Sequence, residues 1–188
     1  ILGLKPVLGV DAEGRVTAVG KEACPREGCL ARNVLGVLPG RDPELAHQVV
    51  VVGAHYDSVH GSPGANDNGT GVSAVLELPR LLKDEPLNRT VRFVAFANEE
   101  PPFFYTERQG SMVYARREKQ RGEDIRLMLA LETIGYYSDQ PDSQYYPIPF
   151  SLFYPDIGNF IGFVGNLSSR RLVRQAVGAF RASTQFPS

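Results

Sequence analysis

The chain has 188 residues, 43% of them hydrophobic and 22% charged, with a formal net charge of −1 at pH 7. That length supports one domain with a real core, and the composition is that of a globular α/β protein rather than a fibrous or disordered one. A near-neutral chain carries no basic field to gather nucleic acid or an anionic membrane surface, and no apolar run is long enough to span a bilayer.

Residues 1–31 are broken up by Gly, Pro and charges and read as an irregular or hairpin lead-in, with a second region over 32–188. Its opening stretch, ILGLKPVLGV, has no basic segment ahead of the apolar residues, unlike a signal peptide. Cys24 and Cys29 stand in CPREGC, where Pro and Gly favour a turn that could bring the thiols together. A local disulfide and two free thiols both remain open, and a zinc knuckle lacks a second Cys or His pair.

Residues 33–38 predict a strand that stops at Pro39-Gly40. Residues 48–54 (QVVVVGA) are apolar on both faces, the pattern of a strand inside a sheet. Residues 71–82 have helical spacing, with Pro79 as an interruption. A strand is expected over 90–97 and a helix with a basic outer face over 110–120, the charges of 116–126 being solvated. Residues 127–131 (LMLAL) read as a third buried strand and 160–164 as a fourth. Residues 168–183 form an amphipathic helix, with Leu172, Val173, Ala176, Val177 and Phe180 inward and Arg170, Arg171, Arg174 and Arg181 outward. This alternation predicts an α/β fold, a three-layer α/β/α sandwich on a central mixed, mostly parallel sheet.

Polar groups stand where the apolar strands run out. His55 and Asp57 follow the first, Glu99 and Glu100 the second, and Glu132 the third, while Asp67 lies in the Gly-rich loop SPGANDNGTG. In open α/β sheets, ligands gather beyond the carboxyl ends of the strands. His55 and Asp57, two apart on extended chain, point the same way, so that one can bind metal while the other steadies its ring. Adjacent glutamates at a strand end point apart and suit two tasks, holding a metal and moving a proton. Each triplet alone also fits a surface turn or a solvated pair. Together they supply one imidazole and several carboxylates, a donor set for zinc, with manganese or cobalt as alternatives.

In sequence, VVVGAHYDSV, GANDNGTGVSAVLEL, VRFVAFANEE and LALETIGYYSD resemble the di-zinc aminopeptidases related to bacterial leucyl aminopeptidase. Their superfamily also holds glutamate carboxypeptidase II and glutaminyl cyclase. The resemblance implies a zinc-dependent exopeptidase acting on peptides with a free N-terminus through a metal-bound water. It implies His55 and Glu132 on one zinc, Glu100 on the other and Asp67 bridging both. Asp57 would orient His55, and Glu99 would be the general base. It further implies a cis peptide after Asp67 and, more weakly, a secreted or periplasmic location.

The family carries a later segment with a final zinc-binding His and, in many members, an oxyanion-stabilising Tyr. Here the only histidines are His47, His55 and His60, all before Glu132. The expectation is therefore two zinc ions in a complete protein and one or none in these residues, which read as a fragment incomplete at its C-terminal end; the activity of these residues alone stays open. Alternatives are a single-zinc glutaminyl cyclase, a carboxypeptidase, or a non-catalytic binding domain of the same fold. Asn68, Asn88 and Asn166 begin triplets that fit a glycan acceptor, the first inside the proposed site. Phe103, Phe104, Tyr105, Tyr136, Tyr137, Tyr145 and Tyr146 fall in loops, suited to lining a pocket or to packing.

Overall fold

The computed structural model describes residues 31–188, together with the backbone of 18–19, 22–23 and 30. Cys24 and Cys29 lie outside the described residues, so the question of their pairing stays with the sequence. The chain divides into two compact units, Ile1–Ile134 and Gly135–Ser188.

The first unit is built on a sheet. Short strands β1 (Ala18–Val19), β2 (Glu22–Ala23) and β3 (Leu30–Ala31) precede β4 (Val34–Leu38), β5 (Gln48–His55), β6 (Thr90–Phe96) and β7 (Asp124–Ala130). The order in the main sheet is β1-β4-β6-β5-β7, while β2 and β3 pair separately and antiparallel. The β5/β6 and β5/β7 ladders are parallel and the longer ones; β4/β6 and β1/β4 are antiparallel.

Alternation along β5 and β6 sends side chains to two faces. Val52, Ala54, Val91 and Phe93 gather on one face with Leu38, and α1 (Gly69–Leu82) covers them through Val72, Val75 and Leu78. Those positions recur at helical spacing and form the apolar stripe. Val49, Val51, Val94 and Phe96 lie on the other face, where α2 (Gly110–Gln120) contributes Tyr114. The Phe96 and Tyr114 rings meet edge to face, with centroids 5.7 Å apart. Helices on both faces of the sheet make the expected three layers, and each fully buried Val or Phe contributes roughly 1.5–3 kcal/mol.

Several expectations need correction. β7 is not a buried strand: among the described strands it lies at the sheet edge, with Ile125 and Met128 exposed. The charges of 116–126 are not all solvated either. Glu118 lies one turn after Tyr114 and is 1% exposed. Arg92 in β6 reaches its carboxylate at 2.7 Å and that of Glu123 at 2.6 Å, and Arg117 joins Glu118 at 3.1 Å. Burial of Glu118 is tolerable because these guanidinium groups surround it.

In the second unit, one-turn helices at Phe150–Leu152 and Leu167–Ser169 precede α3 (Arg170–Ser183). Residues 160–164 form no strand; the Ile161 N–H instead donates to the Pro187 carbonyl at 2.9 Å, and Val164 is exposed. Phe163 serves as a packing residue, its ring 5.4 Å from that of Phe180 on α3. Val173, Ala176, Val177 and Phe180 are half-buried, whereas Leu172 is exposed.

Candidate metal centre

Strand register places the site. In the parallel ladders, His55 is opposite Phe96, and Gly53 is opposite Ala130. Two residues beyond Gly53 is His55, and two beyond Ala130 is Glu132, so equal steps bring both to the same sheet edge. Glu99 and Glu100 follow Phe96 at that edge. The Asp67 loop leads into the first turn of α1, and its Asp67–Asn68 peptide is cis, as the resemblance implied.

His55 is buried and forms the centre. Its Nε2 lies 3.0 Å from Asp67 Oδ1, 3.1 Å from Glu132 Oε1 and 3.8 Å from Glu99 Oε2. Two overlapping ligand groups result, His55 with Asp67 and Glu132, and His55 with Glu99 and Glu100; within each, the ligand atoms lie within 4.8 Å of one another. All four carboxylates named as metal ligand or base are therefore brought to one imidazole.

The other face of the ring is fixed. Nδ1 stands 3.1 Å from the Asp57 main-chain oxygen, a contact that requires an N–H donor there. The Asp57 carboxylate is farther, at 3.6 Å. Its main work is one the sequence did not show: Oδ1 accepts the Glu99 N–H at 3.1 Å and Oδ2 the Glu100 N–H at 3.0 Å. Asp57 thus ties the end of β6 to the residues after β5.

A second polar residue missed in the sequence does related work. Asn33 is buried; its Oδ1 accepts the Ala97 N–H at 3.0 Å and its Nδ2 donates to the Gly110 carbonyl at 2.8 Å. The segment that leads to Glu99 and Glu100 is thereby pinned to the start of α2. An Asn just before a strand gives no outward sign of such a role.

The electrostatics follow from crowding. Burial opposes an imidazolium, yet contacts with Asp57 and Glu132 and the charges of Glu132 and Glu99 push His55 up to about 11. Burial also raises Glu99; His55 opposes this, and the charges of Glu132, Glu100 and Asp57 add to it. Asp57 is held below the usual carboxylate range: burial works against this, but His55 and the Glu100 and Glu99 N–H groups outweigh it. Among the described residues, no Lys or Arg ion pair reaches Asp67, Glu99, Glu100 or Glu132. Carboxylates that converge on one imidazole Nε2, with no Lys or Arg ion pair to them among the described residues, suit a divalent metal, and N/O donors of this kind suit zinc.

Other candidates fall elsewhere. His47 pairs with Asp124 at 3.6 Å, and His60 lies exposed in the loop after β5. The Phe104 and Tyr105 rings meet tilted with centroids 4.3 Å apart, Tyr137 and Phe186 meet edge to face at 4.6 Å, and Tyr146 and Tyr154 meet tilted at 5.2 Å. Phe104, Tyr105, Tyr137 and Tyr154 stay exposed despite these contacts.

Residues 33–180 match the family described as peptidase family M28. The uncharacterized protein YfbL of Escherichia coli is 43% identical over 144 residues, which cover 72% of this chain and 44% of that protein. Aminopeptidase YwaD of Bacillus subtilis is 41% identical over 101 residues, 50% of this chain and 22% of that protein. Among solved structures, the aminopeptidase from Aneurinibacillus sp. strain AM-1 has a TM-score of 0.51 at 26% identity, covering 69% of this chain and 29% of that one. A glutaminyl cyclase from an Acidobacteriales bacterium has a TM-score of 0.52 at 22% identity, over 68% of this chain and 47% of that one, a likeness of fold alone. The chain spans under half the length of each of these relatives.

Proposed function

The chain belongs to peptidase family M28, and on that premise we propose that residues 32–188 carry the zinc centre of an aminopeptidase, which removes N-terminal residues from peptides. The observation that carries this reading is the convergence of Asp67, Glu132 and Glu99 on buried His55 Nε2, at 3.0, 3.1 and 3.8 Å.

His55, Asp67 and Glu132 would hold one zinc, and Glu100 with Asp67 would serve a second. Zinc bound there supplies Lewis-acid polarisation of the scissile carbonyl and lowers the pKa of the attacking water. The chain's own residues do the rest. Asp57 fixes the ring of His55 through its main-chain oxygen and fixes the Glu99 and Glu100 main chain through its carboxylate. Glu99 takes the proton of the attacking water on its carboxylate and returns it to the leaving nitrogen as the C–N bond breaks. The excess of carboxylates favours a substrate with a free, cationic N-terminus.

The test is hydrolysis of leucyl-p-nitroanilide by the zinc-loaded protein and by Glu99→Gln, with zinc content measured on both. Loss of turnover by about 10²–10⁴-fold at unchanged zinc content is the expected result. Full turnover in Glu99→Gln sinks the role of Glu99. Cyclisation of an N-terminal glutamine without hydrolysis would replace the aminopeptidase reading altogether.

A further inference from the structure

We infer that Asn68 and Thr70 form a clamp that sets the spacing of the Asp67 and Glu132 carboxylates and thereby the metal affinity of the site; the inference rests on the metal-centre reading above. These two residues are the ends of the Asn68-Gly-Thr triplet that fits a glycan acceptor. The structure gives them another occupation. Asn68 is 2% exposed, and both ends of its amide are engaged. Oδ1 accepts the Gly71 N–H at 3.1 Å and caps α1, while Nδ2 donates to the Leu131 carbonyl at 2.8 Å.

Leu131 is held from its other side too, its N–H donating to the Gly53 carbonyl at 2.8 Å. The residue before Glu132 is therefore fixed between β5 and the loop of Asp67. Thr70 adds a second stitch. Its hydroxyl donates to the Asn66 carbonyl at 2.8 Å and accepts the Ile134 N–H at 3.1 Å. The chain is thus fastened at 131 and 134, around Glu132, to side chains at 68 and 70, just past Asp67. A simple helix cap would need neither the donor to Leu131 nor the acceptor for Ile134.

The need for a clamp lies in charge. The Asp67 and Glu132 side chains are 54% and 50% exposed, carry like charge, and converge on one ring nitrogen. Their repulsion opposes the spacing that a metal requires. Main-chain anchors on both sides of the pair resist it, so that less reorganisation accompanies metal binding.

The test is the zinc dissociation constant, read by competition with a chromophoric chelator, together with thermal unfolding of the metal-free protein. Thr70→Val removes the hydroxyl and keeps the shape; Thr70→Ser restores the hydroxyl. Thr70→Val is expected to bind zinc about tenfold or more weakly, and Thr70→Ser within about twofold of wild type. Asn68→Asp keeps the acceptor that caps α1 but gives up the donor to Leu131. It is expected to weaken zinc binding despite its added negative charge, and it carries the test should Thr70→Val not fold. Wild-type affinity in both folded variants would overturn the clamp and leave the centre standing. A wild-type protein that binds no zinc would overturn the metal centre and the clamp with it.

Discussion

Replacing Gly71 by alanine sets two backbone effects against each other. An alanine in a helix is favoured over glycine by roughly 0.5–1 kcal/mol. At Gly71, however, the new Cβ would collide with Asn68 Oδ1 and stand 2.6 Å from the Leu131 carbonyl oxygen and 2.9 Å from Ala54 Cβ. The Leu131 oxygen is main chain and Ala54 belongs to the central strand, so neither yields cheaply. Overpacking of this kind costs about 1–3 kcal/mol. Displacing the Asn68 side chain sacrifices the cap as well, for about 1 kcal/mol more. The net is a destabilisation of about 1–3.5 kcal/mol, which lowers the melting temperature by roughly 2–14 °C in a chain of this size. Differential scanning calorimetry of the metal-free protein measures it. Gly178 in α3 is the control, because a Cβ there meets nothing within 4 Å. Gly178→Ala is expected to leave stability unchanged or raise it by up to about 1 kcal/mol. A Gly71→Ala protein as stable as wild type would refute the close approach of α1 to Leu131.

Further predictions concern polar groups inside the first unit. Asn33→Ala leaves the Ala97 N–H and the Gly110 carbonyl without their side-chain partner, and should destabilise by about 1–3 kcal/mol per group in urea unfolding. Arg92→Ala uncovers buried Glu118. Because Arg117 remains beside that carboxylate, the loss should fall near the low end of about 3–5 kcal/mol, and adding Glu118→Leu should recover part of it.

Much of the site was legible because its residues obey a simple rule: they follow apolar strands. The both-face apolar run of 48–54 is the centre of the sheet, and the parallel register carries His55, Glu99 and Glu132 to one edge. Asp67 needed the resemblance, since an Asp among glycines is also what a turn prefers. What stayed hidden depends on partners distant in sequence. Nothing local distinguishes Asn33, Asn68 or Thr70 from ordinary loop and cap residues. Arg92 gives no sign that α2 will bring it a buried glutamate. LMLAL reads as buried because composition reports hydrophobicity and not sheet position, and β7 is an edge among the described strands. FIGFV reads as a strand, yet its Phe163 packs on a helix.

The most direct measurement is anomalous diffraction at the zinc edge from crystals of the protein soaked with zinc. The expected result is a peak bound by His55 Nε2 and by the carboxylates of Asp67 and Glu132, at about 2.0–2.2 Å from each ligand atom. Crystals in which zinc is absent from those three side chains, or is held only at other surface groups, would contradict the metal centre.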